Sequence, residues 1–431
     1  MIRSNIFASI IFFILLFNTQ NILGQCNNCR WNGTFWVDCN NSGSGACTGS
    51  DSPEAHDNVT IDGAYDTNTE GDLTCNDLTI NSGNTITFGK NNSFISINGT
   101  TITNNNLDDY ETIKNTGNFT GCYIDIATSG GNVDIAGDSL AIPSGIRLKI
   151  SGGATLVTNG FLALLPGAWV EQSSLSNISG NTTVFQKGKT GVMAVTSAWN
   201  FWGTPMTEAT SEVSKTVSTA DQANNCLYSY IWGSNAASGW VAEYDNAFKF
   251  RAGRGYSICG ASLNSKTQST RSFTGVLNSA DGDVTPNGWA KGGWGLFANP
   301  FASMLSLFNG GLGFLDNPNN ARQLQGTAYF WCDDATNGGG YASSDYASCN
   351  LGACANPPGG GGCVSDLDVI AQPVISPGQG FFVEMNCDAG GCGDPDDGVP
   401  PSKIDYLLAM TIDDPINEGY QSLGFLKKAQ T

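Results

Sequence analysis

VDIAGDSLAIPSGIRLKISGGATLVTNGFLALLPGAWVEQ, residues 133–172, is the stretch that decides the fold. Apolar runs begin at 133, 140, 146, 154, 161 and 168, about seven residues apart, with Gly, Asn, Ser or Pro in most gaps. Within IRLKI (146–150) apolar and charged positions alternate, the period of a half-buried strand, and helical spacing is absent. So short and persistent a beat fits stacked rungs, because a rung hides its inward side chains only against the rungs above and below it. LTINSGNTITFG (78–89) and FISINGTTIT (94–103) have the same texture. Residues 59–183 are therefore expected to form a parallel β-solenoid, β-helix-like. Ile124, Ile126, Val133, Ile135, Ile146, Leu148 and Ile150 should face inward, and Asp125, Asp134, Arg147 and Lys149 outward.

From about residue 184 the chain is richer in Trp, Tyr and Phe, and three blocks recur in the same order. WNFWGTPM (199–206) matches WGLFANPF (294–301), YSYIW (228–232) matches TAYFW (327–331), and RAGRGYSI (251–258) matches SPGQGFFV (376–383). Alternating large side chains suit half-buried strands, and proline then ends them. The G-x-G-[YF] block puts glycines where the backbone turns or is closely approached. The expectation is an all-β protein in which two related β-sandwich-like units, 184–288 and 289–431, follow the solenoid. Their aromatics are read first as core and second as a sugar-stacking platform. The second unit carries a Gly-rich insertion, NGGGYASSDYASCNLGACANPPGGGGC (337–363), whose Tyr341 and Tyr346 are the local candidates for recognition.

The first 24 residues read as a secretory signal peptide: Arg3, the apolar run IFASIIFFILLF (6–17), then a polar boundary. No later segment is long and apolar enough for a membrane span, so the mature chain is expected to be secreted or held at the cell surface. Fourteen cysteines in an exported chain point to disulfides, with the pairing unspecified. Candidates are Cys26, Cys29, Cys39 and Cys47 in a Cys-rich N-terminal cap (25–58), and Cys332, Cys349, Cys354, Cys363, Cys387 and Cys392 in or near the insertion. A zinc site on Cys26, Cys29, Cys39 and Cys47 is the competing reading for the first group. The formal charge of −19, with 13% of residues charged, disfavours nucleic acid and anionic lipid as partners.

The Gly/Asn/Thr-rich rungs, together with WNFWGTPM, GWGLFANPF and ISPGQGFFV, resemble secreted and cell-surface proteins of Bacteroidota. In that group "GNPYPS" and "PGQGFFV"-type blocks follow solenoid-like repeats, often in cargo of the type IX secretion system. The resemblance implies an extracellular protein and says little about activity. The closing YQSLGFLKKAQT (420–431) departs from the sorting module typical of such cargo, so the resemblance does not extend to the mode of attachment.

The chain has one histidine, His56, and contains no nucleophile elbow, P-loop or dinucleotide fingerprint. Asp125 and Asp134 are the candidate carboxylates for a polysaccharide lyase or hydrolase acting on an outer solenoid face. Calcium is the cation suited to the loop carboxylates Asp394, Asp396 and Asp397, and to Asp281–Asp283 and Asp333–Asp334. The reading that absorbs most of these features is a non-catalytic extracellular protein acting in adhesion, surface structure or glycan binding. Its partner would be an extracellular glycan or a surface protein. A glycan-cleaving enzyme and a self-associating fibre subunit are the alternatives.

Overall fold

The computed structural model describes residues 28–34, 36–38, 53, 55, 57–106, 112–117, 120–187, 199–207, 227–231, 239–243, 249–259, 270–284, 293–331, 346–351, 353–355, 373–386, 403–412 and 421–422. These residues are nearly all β, with a parallel solenoid of about five turns in the N-terminal region. One solenoid face stacks Asn58–Ile61, Leu78–Ile80, Thr101–Asn104, Gly131–Gly137, Ala154–Val157 and Ile178–Ser179 in parallel. A second face carries Tyr65–Asp66, Ile86–Thr87 and Ile113–Lys114, and then Leu140–Ile142, Leu162–Leu164 and Thr182–Lys187. The third stacks Leu73–Cys75, Phe94–Ile97, Cys122–Ile126, Ile146–Ile150 and Trp169–Val170. Three short strands per rung account for the seven-residue beat.

The alternation lands as expected. Ile124, Ile126, Val133, Ile135, Ile146, Leu148 and Ile150 are all buried, in register with their neighbours one rung away. Burying each such side chain stabilises by roughly 1.5–3 kcal/mol, which the neighbouring rung makes available. The corners are held by polar ladders: Asn76 Nδ2 donates to Asn58 Oδ1 (2.8 Å), and the Asp77 carboxylate accepts from the backbone N–H groups of Thr100 and Thr101. At the N-terminal end Asn28–Trp31 pairs in parallel with Asn58–Ile61 and antiparallel with Trp36–Asp38. Trp31 packs there on Trp36 and Tyr65, and its indole N–H donates to the Ala64 carbonyl (2.8 Å).

The solenoid passes into the second half through a shared strand. Thr182–Lys187 runs parallel to Leu162–Leu164 on one side and antiparallel to Thr270–Gly275 on the other. The Gln186 side chain is buried and donates to the carbonyls of Gly203 and Pro377, one from each copy of the repeat. Beneath the last rung, the Val170 N–H donates to the Ala302 carbonyl, and Ser303 Oγ donates to the Val170 carbonyl (2.6 Å). Trp169 packs with Met304, Val374 and Ile412. Rungs and repeat thus share a continuous core.

Each copy of the repeat builds a sheet with the same strand order. In the first, Trp199–Trp202 lies beside Tyr256–Cys259, followed by Leu227–Tyr230 and Trp240–Ala242. In the second, Trp294–Ala298 lies beside Gly380–Met385, followed by Leu324–Trp331, Tyr346–Asn350 and Cys354–Ala355. Registers coincide: Trp199 pairs with Cys259 as Trp294 pairs with Glu384, and Trp202 with Tyr256 as Phe297 with Phe381. One alignment is corrected. Sequence matching sets Tyr230 against Tyr329, whereas cross-strand pairing sets Tyr228 against Tyr329 and Tyr230 against Trp331. The slip is two residues, which keeps every side chain on its face and so leaves the alternation pattern unchanged.

The two sheets meet about a pseudo-twofold axis. Trp202 bridges to Gln379, and the equivalent Phe297 bridges to Arg254. The Gly203 N–H donates to the Gly378 carbonyl, and the equivalent Ala298 N–H to the Gly253 carbonyl. The G-x-G block has its physical reason here: Gly253 and Gly378 take φ of +77° and +66°, in the left-handed region. Gly255 and Gly380 instead lie against the opposite copy, where an added Cβ would come within 2.8 Å of Phe297 or Phe201 backbone atoms.

Candidate functional site

Along a strand, alternate side chains face opposite ways, and the two repeat sheets use this to make two aromatic layers. Phe297, Phe314, Phe330 and Phe381, all buried, fill the layer on one side of the second sheet together with Tyr406. Tyr406 is fully buried, its hydroxyl donates to the Gly253 carbonyl (2.8 Å), and burial raises its pKa well above the ordinary tyrosine range. This layer is core.

The other layer lies where the sheets face one another. Phe201 of the first sheet meets Phe382 (5.2 Å between ring centroids), Trp331 (5.7 Å) and Tyr346 (6.4 Å) of the second. Tyr230 stacks edge-on to Trp240 at 5.1 Å, and its pseudo-equivalent Trp331 stacks edge-on to Tyr346 at the same distance. Phe201, Tyr230 and Phe382 are buried, but Trp240, Trp294, Tyr329, Trp331 and Tyr346 each keep part of their surface exposed. Burial pushes the Tyr230 hydroxyl up to about 12, so it stays protonated at neutral pH.

One end of this layer is bordered by polar groups. Trp294 packs edge-on against Tyr329 (5.1 Å) and pairs across the strands with Glu384. Tyr329 and Glu384 are close enough that the carboxylate, after burial, helps to raise the tyrosine pKa. Thr327 lies two residues before Tyr329 on the same strand, where pairing with Gly380–Met385 is irregular between Leu324 and Ala328. The side chains of Thr327, Tyr329 and Glu384 make no hydrogen bond or ion pair among the described residues. A partly exposed indole beside the unengaged Tyr329 hydroxyl and Glu384 carboxylate can stack on an apolar ring face while those groups bond the ring's edge.

The residues singled out by sequence fall as follows. Asp125 and Asp134 are not a pair: Asp125 projects from Cys122–Ile126 on the third solenoid face, and Asp134 from Gly131–Gly137 on the first. Asp125 accepts a hydrogen bond from Ser151 Oγ (2.8 Å), and Asp134 is exposed. Arg147 stands over the Tyr123 ring and beside Glu171, an ordinary outer-face ladder. Tyr346 is a strand residue packed on Trp331, not part of a free loop. Asp281 accepts from the Leu408 N–H, and Asp283 pairs with Lys403 (2.7 Å), so both carboxylates are engaged by protein groups. No group of three or more His, Cys, Asp or Glu among the described residues is arranged to hold a metal ion. Nor is any helix among them long and apolar enough to cross a membrane.

Cys349 and Cys354 form a disulfide between adjacent strands. Cys29 is buried, in the strand against Asn58–Ile61. Cys75 and Cys122 are buried in the solenoid without a disulfide, as small apolar residues, and burial raises both thiol pKa values. Tyr341, His56, Asp333, Asp334, Asp394, Asp396, Asp397, Cys26, Cys39, Cys47, Cys332, Cys363, Cys387 and Cys392 lie outside the described residues. Sequence reasoning passed over Thr327 and Glu384. The only signal was a polar residue on the apolar-facing alternation of each strand, which is legible once the register is known.

Comparison with known proteins finds no match among curated proteins and none among solved structures. A family model does match residues 106–391, running from the third solenoid rung to the end of the second repeat sheet. Rungs and duplicated sheets fall together within that single unit, as their shared strand and core require. The chain belongs to the family described as domain of unknown function DUF8693.

Proposed function

We propose that this is an exported, non-catalytic protein that binds extracellular glycan on the aromatic layer between its two repeat sheets. The observation that carries the reading is the partial exposure of Trp240, Trp294, Tyr329, Trp331 and Tyr346 on one shared face. A layer serving only as core gains most by closing completely, as the Phe297–Phe381 layer does on the opposite side. Aromatic faces left open beside polar groups match the requirements of a sugar ring, which offers C–H groups on its faces and hydroxyls on its edge. The signal-peptide reading of residues 1–24 and the acidic charge favour an extracellular ligand other than nucleic acid. Asp125 and Asp134 leave the solenoid on different faces, which supports binding over cleavage by paired carboxylates.

The test is affinity electrophoresis of the mature protein through gels containing a panel of polysaccharides, with parallel incubations scored for new chain ends. Retardation by at least one polysaccharide, lost in Trp294→Ala and unaccompanied by cleavage, is the expected result. Appearance of new chain ends at a steady rate would replace binding with catalysis as the function.

A further inference from the structure

Resting on the glycan-binding reading, we infer that the bound sugar carries a protonated amine and that Glu384 selects it. Glu384 lies on the aromatic face, directly across the strands from Trp294 and close to Tyr329. It is only partly exposed, and its carboxylate makes no hydrogen bond or ion pair among the described residues. A carboxylate with no protein partner keeps its oxygens available, and a cation brought to it gains a charge-assisted hydrogen bond. The same cation would sit close to the Trp294 and Tyr329 rings, and aromatic faces attract positive charge. A uronate or sulfated sugar would instead meet Glu384 and a chain of net charge −19. The Tyr329 hydroxyl, which packs beside Trp294, is left to bond a ring hydroxyl.

The experiment is isothermal titration of the mature protein and of Glu384→Gln with four probes: a glucosamine oligosaccharide, its N-acetylated counterpart, a galacturonate oligosaccharide and oligolysine of equal charge. The expected result is about tenfold tighter binding of the glucosamine oligomer than of the N-acetylated one, as one charge-assisted hydrogen bond supplies. Glu384→Gln, nearly isosteric, should erase that ratio. Galacturonate should bind least. A ratio unchanged in Glu384→Gln, or galacturonate binding as tightly as glucosamine, overturns the assignment but leaves glycan binding standing. Oligolysine binding as tightly as the glucosamine oligomer shows a charge site without sugar recognition and overturns it too. Absence of binding to all three saccharides overturns this inference, and absence of retardation by the whole polysaccharide panel overturns the reading beneath it.

Discussion

Replacing Gly203 by alanine should destabilise the protein, and the reason lies at the pseudo-twofold axis. A Cβ at Gly203 would lie 2.3 Å from Ala298 Cβ and 2.7 Å from the Arg254 carbonyl oxygen. Carbon–carbon contact is comfortable only at about 3.5–4.0 Å, so the two sheets must part by more than 1 Å. Overpacking of this kind costs about 1–3 kcal/mol, and about 2 kcal/mol is expected here. Ala298 is the pseudo-equivalent of Gly203, so the axis accommodates one methyl, not two. Ala298→Gly alone should cost about 1 kcal/mol, from a lost buried methyl and added chain entropy. The double variant moves the single methyl across the axis. It should therefore be more stable than the sum of the two costs by about 1–2 kcal/mol, with the Arg254 carbonyl keeping the rescue partial. Guanidinium unfolding followed by tryptophan fluorescence reads the cycle through the midpoint at unchanged slope. Wild-type stability in Gly203→Ala, or strictly additive costs in the double variant, would refute the symmetric docking of the sheets.

Four further outcomes follow from the same structure. Leu148→Ala empties an inward site between two rungs and should cost about 2–5 kcal/mol, while Asp134→Asn on an exposed edge should stay within about 0.5 kcal/mol; thermal melts compare them. Peptide mapping without reduction should recover Cys349 joined to Cys354, and a Cys349→Ser, Cys354→Ser variant should lose about 2 kcal/mol from the short loop closed. In that mapping Cys75 and Cys122 should resist alkylation until the chain is unfolded, because each thiol is buried and its pKa raised; labelling of either in the native state contradicts their placement. Tyr230 has a folded pKa of about 12 against an ordinary 10.0, so its contribution to stability is complete below pH 10 and is lost as pH rises from there towards 12. Tyrosinate absorbance in Tyr230→Phe, set against wild type, should show the missing transition near the top of that window, and one near pH 10 would count against its burial.

Much of this architecture could be read from the order of residues. A period of two within strands and of about seven between them is a local property of the chain, so the solenoid was legible from 133–172 and its inward set from the alternation within 124–150. The duplication was legible for the same reason, because blocks such as WNFWGTPM and WGLFANPF repeat side chains that each sheet needs in the same places. Alternation also has a blind spot: it is unchanged by a two-residue shift, which is why Tyr230 was matched to Tyr329 instead of Trp331.

The candidate site was a different matter, since its members come together only through long-range pairing. Trp294, Glu384 and Tyr329 sit on three strands, and Glu384 is brought beside Trp294 by an antiparallel register spanning 90 positions. Asp125 and Asp134 show the converse: nine positions apart in the chain, they leave the solenoid on different faces because a corner intervenes. Side-chain alternation and turn chemistry are decided by neighbours in sequence, so the chain itself determines that it coils into rungs and builds two like sheets. Which face of each sheet is sealed and which stays open is decided only by how the sheets dock. Docking depends on a close approach of Gly203, Gly255 and Gly380 to the opposite copy that no local pattern encodes.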